Sequence, residues 1–128
     1  MKVLLDTCSF LWIGVQPEKL SLSARQYFLE SDNQIFLSSA STWEIAIKYA
    51  QGNLPLPSSP EKYVLESRKT YFILPLPIHE EATFNISKLP NLHKDPFDRM
   101  LISQAIVHGM AILTPDPLIH QYPVRCLW

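Results

Sequence analysis

Apolar residues along the chain fall into short unbroken runs, separated by longer stretches in which they recur at helical spacing. Lys2–Leu5, Ile35–Leu37 and Met110–Leu113 are runs of the first kind, suited to strands buried on both faces. Ile73–Ile78 is also apolar and is assigned as a strand, although Pro75 and Pro77 inside it count against one, and Val124–Leu127 is a last short candidate. Between these runs lie helical segments. Phe10–Ile13 forms a turn or two after a cap near Ser9, and Ala24–Glu30 follows a cap at Ser21 or Ser23. Thr42–Gln51 is opened by Ser38–Ser41 and closed near Gly52. Pro55, Pro57 and Pro60 mark a stiff connector into a helix over Glu61–Tyr71. Glu80–Lys88 and a segment opened by Asp95-Pro96 and running to about His108 complete the set.

Strands alternating with helices imply right-handed βαβ units around a mostly parallel sheet, covered on both faces. No repeat, low-complexity tract or linker breaks the pattern, so residues 1–128 read as a single α/β domain.

Composition narrows the function more by exclusion than by indication. With 47% apolar and 18% charged residues the chain has the profile of a folded globular protein, and its length can bury a core without disulfides. A net charge of −1 gives no overall basic field, so any nucleic-acid role must rest on a local site. Cys8 and Cys126 form no CxxC pair, which removes support for zinc-finger, iron–sulfur and thioredoxin-like readings. Gly14, Gly52 and Gly109 are too scattered to build a P-loop or a GxGxxG turn, so ATPases and nicotinamide enzymes of those types are excluded. Asp6 interrupts the apolar N-terminus, no run is long enough to span a membrane, and the expectation is a soluble cytoplasmic protein.

The acids then stand out by position. Ligands of open α/β sheets bind beyond the carboxyl ends of the strands. Asp6 directly follows the first strand, Asp116 follows the Met110–Leu113 strand by a short turn, and Glu44 lies early in the helix after the second strand. Asp98 belongs to the first turn of the helix opened by Pro96. Each also has a plainer reading. Asp6 and Asp116 suit helix N-caps, Asp95-Pro96 with Asp98 resembles a capping box, and Glu44 and Lys48 are spaced as an i, i+4 surface pair. Glu44, however, is set among Trp43, Ile45, Ala46 and Ile47, a run that reads as buried nearly all round, where an ionised carboxylate needs a partner. Four converging carboxylates require a cation. Hard oxygen donors without a His/Cys cluster select Mg²⁺ or Mn²⁺, whose natural chemistry here is phosphodiester hydrolysis. A haloacid-dehalogenase-type phosphotransferase would need an acid at Cys8, and a receiver domain would need one closely following Leu37; neither is present.

Four blocks, in order and spacing, resemble the PIN-domain nucleases and in particular the VapC-like toxins of bacterial toxin–antitoxin pairs. They are Leu4-Leu5-Asp6-Thr7, Ser38 to Lys48, His93-Lys94-Asp95-Pro96-Phe97-Asp98-Arg99-Met100-Leu101-Ile102, and Leu113-Thr114-Pro115-Asp116. The resemblance implies a three-layer α/β/α fold, Mg²⁺- or Mn²⁺-dependent endoribonuclease activity on RNA, neutralisation by a cognate antitoxin, and a homodimer. By position it implies metal-holding, catalytic roles for Asp6, Glu44, Asp98 and Asp116, with Thr114 as a supporting hydroxyl. Asp95 is a possible assistant whose capping role competes. Pro115 and Pro117 bracket Asp116 and either preorganise it or turn it away. Arg99 suits a phosphate contact, a pair with a site carboxylate or a solvated salt bridge, and Lys48, Lys94 and His93 are further phosphate candidates. Trp12 and Trp43 read as core residues rather than base-stacking platforms. The alternative from another class is a catalytically silent PIN-like module that binds RNA or a protein partner.

Overall fold

The computed structural model describes residues 1–128, and each unbroken apolar run lies in it as a strand. Strands β1 (Lys2–Leu5), β2 (Gln34–Ser38), β3 (Ile73–Leu76), β4 (Ala111–Leu113) and β5 (Cys126–Leu127) form one five-stranded sheet in the order β3-β2-β1-β4-β5. Every neighbouring pair is parallel. Side chains of a strand alternate between faces, and β1 divides accordingly. Val3 and Leu5 join one buried cluster with Ile35, Leu37 and Leu113, while Leu4 joins a second with Ile112. The sheet is therefore the middle of three α/β/α layers.

Helices α1 (Thr7–Val15), α2 (Leu22–Leu29) and α4 (Pro60–Tyr71) supply Phe10, Ile13, Ala24, Tyr63 and Val64 to the first cluster. Helix α6 (Pro96–His108) supplies Leu101, Ile102 and Ala105 to the second, joined by Ile119 and Tyr122. Helix α3 (Ser39–Ala50) sits across the sheet edge, giving Ala40 to one cluster and Ile45 to the other, and α5 (Glu80–Asn85) packs on α6. No helix is long and apolar enough to cross a membrane.

The strand order matters most for position. From β1 the chain moves outward through β2 to β3, then returns to place β4 on the other side of β1. Strand order thus reverses between β1 and β4, the place where open α/β sheets leave a crevice at their carboxyl ends. Asp6 and Thr114 are the first residues beyond those two strands.

Several boundaries differ from the sequence expectation, each for a local reason. Helix α1 starts at Thr7 rather than Phe10, because Asp6 and not Ser9 is its N-cap: Ser9 N–H donates to Asp6 Oδ1 at 2.8 Å. Helix α3 starts at Ser39, since the Ser38 hydroxyl accepts from Ala40 N–H at 2.9 Å and turns β2 straight into a helix. Strand β3 does form, but as an edge strand ending at Leu76, where Pro75 costs little ladder bonding.

Two helix ends make opposite use of left-handed backbone. Gly109 closes α6 at φ 66°, whereas α4 closes on Phe72 at φ 56° with its ring 86% exposed. An L side chain in that region costs roughly 1–2 kcal/mol, against roughly 0.5–1 kcal/mol for glycine's extra chain entropy. Urea denaturation of Phe72→Gly is expected to show a gain of about 0.5–1 kcal/mol, and Gly109→Ala a loss of about 1 kcal/mol. A Phe72→Gly variant no more stable than the parent would mean that the exposed ring makes stabilising contacts of its own.

Candidate metal centre

Asp6 is only 5% exposed and is held by its own helix cap and by its N–H bonded to the Leu113 carbonyl at 3.3 Å. Burial pushes its carboxyl pKa up. The Ser9 and Thr114 hydrogen bonds oppose that shift, and the negative charge of Asp116 adds to it. The Ser9 hydroxyl donates to the Leu113 carbonyl at 3.1 Å, fastening α1 to β4 across the sheet reversal.

Glu44 is buried to the same degree, 5% exposed, but not for the expected reason. The surrounding run is not buried all round: Ile45 is, while Trp43 and Ala46 are exposed, because only one stripe of α3 meets the core. Glu44 Oε1 accepts from the Thr7 hydroxyl at 2.7 Å, and Oε2 pairs with Lys48 one helical turn on. That pair raises the Lys48 pKa, through the hydrogen bond before any other cause. Lys48, expected as a phosphate contact, is thus committed to Glu44, and the i, i+4 pair forms with its acidic member inside rather than on the surface.

Asp98 and Asp116 come together through His93. The imidazole Nε2 lies 3.0 Å from Asp98 Oδ2 and 3.1 Å from Asp116 Oδ2, and one ligand atom from each of the three residues falls within 4.8 Å of the others. The other ring nitrogen decides what Nε2 does. Asp95 N–H donates to His93 Nδ1 at 3.2 Å, so Nδ1 is an acceptor and the ring proton resides on Nε2. His93 therefore presents an N–H, not a lone pair, to the two carboxylates. Burial, followed by the charge of Asp95, raises the Asp98 pKa to about 7; His93 opposes the shift, and Asp6 and Glu44 add to it.

Asp116 is oriented by its turn. Its N–H donates to the Thr114 hydroxyl at 3.1 Å, and its Oδ1 accepts from Leu118 N–H at 2.9 Å, leaving Oδ2 toward His93. These two bonds, one on each side of the residue, turn the side chain toward His93. Asp95 is the α6 N-cap, accepting from Phe97 N–H at 2.9 Å. Arg99 reaches no carboxylate: its guanidinium donates to the Pro90 and Ile86 carbonyls and to the Tyr122 hydroxyl. The sequence expectation of a pair with a carboxylate is corrected to a fastening of the preceding loop. Tyr122 completes that fastening, its oxygen accepting from His93 N–H at 2.7 Å and Leu92 N–H at 3.2 Å. Its part had no signal in the sequence, since the two segments lie 29 residues apart.

The four predicted acids lie in four separate segments around the sheet reversal. Asp98 and Asp116 share His93, while Asp6 and Glu44 stand outside that tight group and act on Asp98 as charges. Cys8, on the exposed lip, registers the same field: its thiol is pushed up to about 11, by desolvation first and then by Asp6, Glu44 and Asp98, so it stays protonated and is no nucleophile.

Comparison with known proteins identifies the fold and the family. The family model of the PIN domain matches residues 3–124. No curated protein matches the chain by sequence. Among solved structures, the fold is similar to a chain of VapBC2 from Rickettsia felis, bound to a DNA fragment from their promoter. That likeness has a TM-score of 0.70 and 15% identity, over 98% of this chain and 97% of that one. It is similar also to a chain of FitAcB from Neisseria gonorrhoeae, at 0.60 and 18% over 97% and 95%, and to one of FitAB bound to the IR36 DNA fragment, at 0.58 and 20% over 97% and 92%.

The raised pKa of Asp98 has a signed consequence for stability. Between the ordinary value of 3.8 and about 7, the folded chain holds a proton that the unfolded chain releases. Its contribution to stability therefore falls as pH rises through that window and is level above it. In metal-free buffer, the stability of wild type relative to Asp98→Asn is expected to decline from about pH 4 to about pH 7. A flat difference across that window in urea titrations would show that Asp98 is not held in a desolvated site.

Proposed function

Because the chain belongs to the PIN-domain family, we propose that it is a metal-dependent endoribonuclease that hydrolyses RNA phosphodiester bonds, with a Mg²⁺ or Mn²⁺ ion held among Asp6, Glu44, Asp98 and Asp116. The observation that carries this reading is the set of carboxylates brought from four elements to the sheet reversal, two of them, Asp6 and Asp98, with pKa values raised by burial. Acids in that condition lack positive charge, and oxygen donors without thiolate suit a hard divalent cation. A bound ion supplies acidification of a water nucleophile and electrostatic stabilisation of the departing oxygen.

The chain's own residues set up that chemistry. Thr7, Ser9 and Thr114 fix the carboxylates that face the space, which limits the rearrangement needed to bind a cation. Lys48 neutralises Glu44 from the outer side. His93 Nε2–H keeps Asp98 and Asp116 close despite their like charge, and Tyr122 and Arg99 hold the backbone that carries it. The similar chains of VapBC2 and FitAB come from two-component complexes, which supports a toxin role with a cognate antitoxin as partner. A homodimer and a cytoplasmic setting belong to the same reading. One observation favours the silent-module alternative: Lys48 and His93 are paired with three of the four acids.

Cleavage of a panel of structured RNAs with Mg²⁺ or Mn²⁺ separates the two. Wild type is expected to make discrete cuts that EDTA abolishes. Glu44→Gln is expected to reduce cutting more than about 100-fold, beyond the 10–100-fold typical of losing an outer partner. A variant that cuts as well as wild type would overturn the carboxylate site; intact RNA in every lane, with no thermal stabilisation by Mn²⁺, would favour the silent module.

His93 gives a second test. As an N–H donor it competes with a cation for the same two oxygens, so His93→Ala is expected to enlarge the rise in thermal midpoint produced by Mn²⁺. A smaller rise in the variant would instead make His93 a ligand.

A further inference from the structure

We propose that Trp43 and Phe97 form a stacking platform for an unpaired nucleobase at the rim of the carboxylate site. The inference rests on the nuclease reading for the chemistry next to it, and names the two residues that hold an unpaired base there.

Trp43 immediately precedes Glu44 on α3, and Phe97 immediately precedes Asp98 on α6. Their rings meet edge to face, with centroids 5.1 Å apart and planes at 78°. The pair therefore bridges two helices that each deliver an acid. Trp43 was expected in the core, yet it is 60% exposed, and it is the one exposed tryptophan of the three; Trp12 and Trp128 are partly buried against each other. An indole left in water beside such a site forgoes much of its burial energy and offers its exposed ring surface to a ligand.

The ligand follows from the neighbours. A site that acts on a phosphodiester must hold the nucleotides on either side of it. A base separated from that phosphate by only a sugar comes to rest at the rim, where the two aromatics stand. Lys94 is exposed and forms no ion pair, and it directly follows His93, whose ring lies between Asp98 and Asp116, so a cation stands beside the acids. Aromatic face and cation together are the elements of single-strand binding. A duplex keeps its bases stacked on one another and offers no face to the platform.

Binding is measured without cutting, on the Glu44→Gln chain with Mg²⁺, and on wild type in EDTA. The probes are short oligoribonucleotides, adenine-rich or uracil-rich, and a duplex of matched sequence. Single strands are expected to quench tryptophan fluorescence and the duplex to do so far more weakly. Trp43→Ala should weaken single-strand binding about 5- to 100-fold. Trp43→Phe should restore most of the affinity while losing the quench. Trp43→Leu fills the same place with apolar surface but has no π-face, so it should not restore affinity. This separates stacking from helix packing, and urea titration verifies that each variant is folded. In cleavage, Trp43→Ala should raise KM with little change in kcat.

The platform is overturned if Trp43→Ala binds single strands as tightly as its parent, if Trp43→Leu rescues as well as Trp43→Phe, or if the duplex binds equally. If wild type cuts RNA and Trp43→Ala cuts with unchanged KM, the platform falls and the nuclease reading stands. If nothing is cut but single strands quench through Trp43, the platform stands and the nuclease reading falls.

Discussion

Placing carboxylates in a desolvated crevice is unfavourable, and much of the architecture around the sheet reversal offsets that cost. Each acid has a local partner: Asp6 the backbone N–H of Ser9, Glu44 the hydroxyl of Thr7 and the ammonium of Lys48, and Asp98 and Asp116 together the imidazole proton of His93. The compensation is incomplete, since Asp6 and Asp98 both remain raised in pKa.

The same crevice depends on a frame that holds no ligand itself. Tyr122 sits in the segment after β4 and receives hydrogen bonds from the loop before α6, and Arg99 ties that loop to the residues after α5. His93 can face two acids only because its main chain is held there and Asp95 N–H fixes its tautomer. Asp95 thus caps α6 and orients the histidine through different atoms of one residue. The backbone fold itself is similar to that of chains only 15–20% identical in sequence.

Much of the fold was legible because strands buried on both faces are written as unbroken apolar runs, and Lys2–Leu5, Ile35–Leu37 and Met110–Leu113 are such runs. Strand β3 was harder to read, because Pro75 argues against a strand in general but not against an edge strand, and only the finished sheet says which strand is the edge. Among site residues, Asp6, Glu44, Asp98 and Asp116 could be picked out by their positions after strands and at helix starts. Arg99 was misread because its partners are carbonyls brought near by folding, which carry no sequence signal. Trp43 was misread because hydrophobicity marks a residue as able to be buried, and says nothing about whether its stripe of the helix meets the core.

The amino-acid sequence by itself determined the alternation of strands and helices, the helix caps built from neighbouring residues, and the four acids with their order. These depend on periodicity and on bonds spanning a few positions, which a linear pattern carries. Tertiary structure decided the strand order β3-β2-β1-β4-β5, and with it that residues following β1 and β4 would share one crevice. It also decided that Lys48 serves Glu44 rather than solvent, that His93 joins Asp98 to Asp116, and that Trp43 stays outside. Those outcomes depend on which surfaces meet when the layers close, and on which groups lose water as they do.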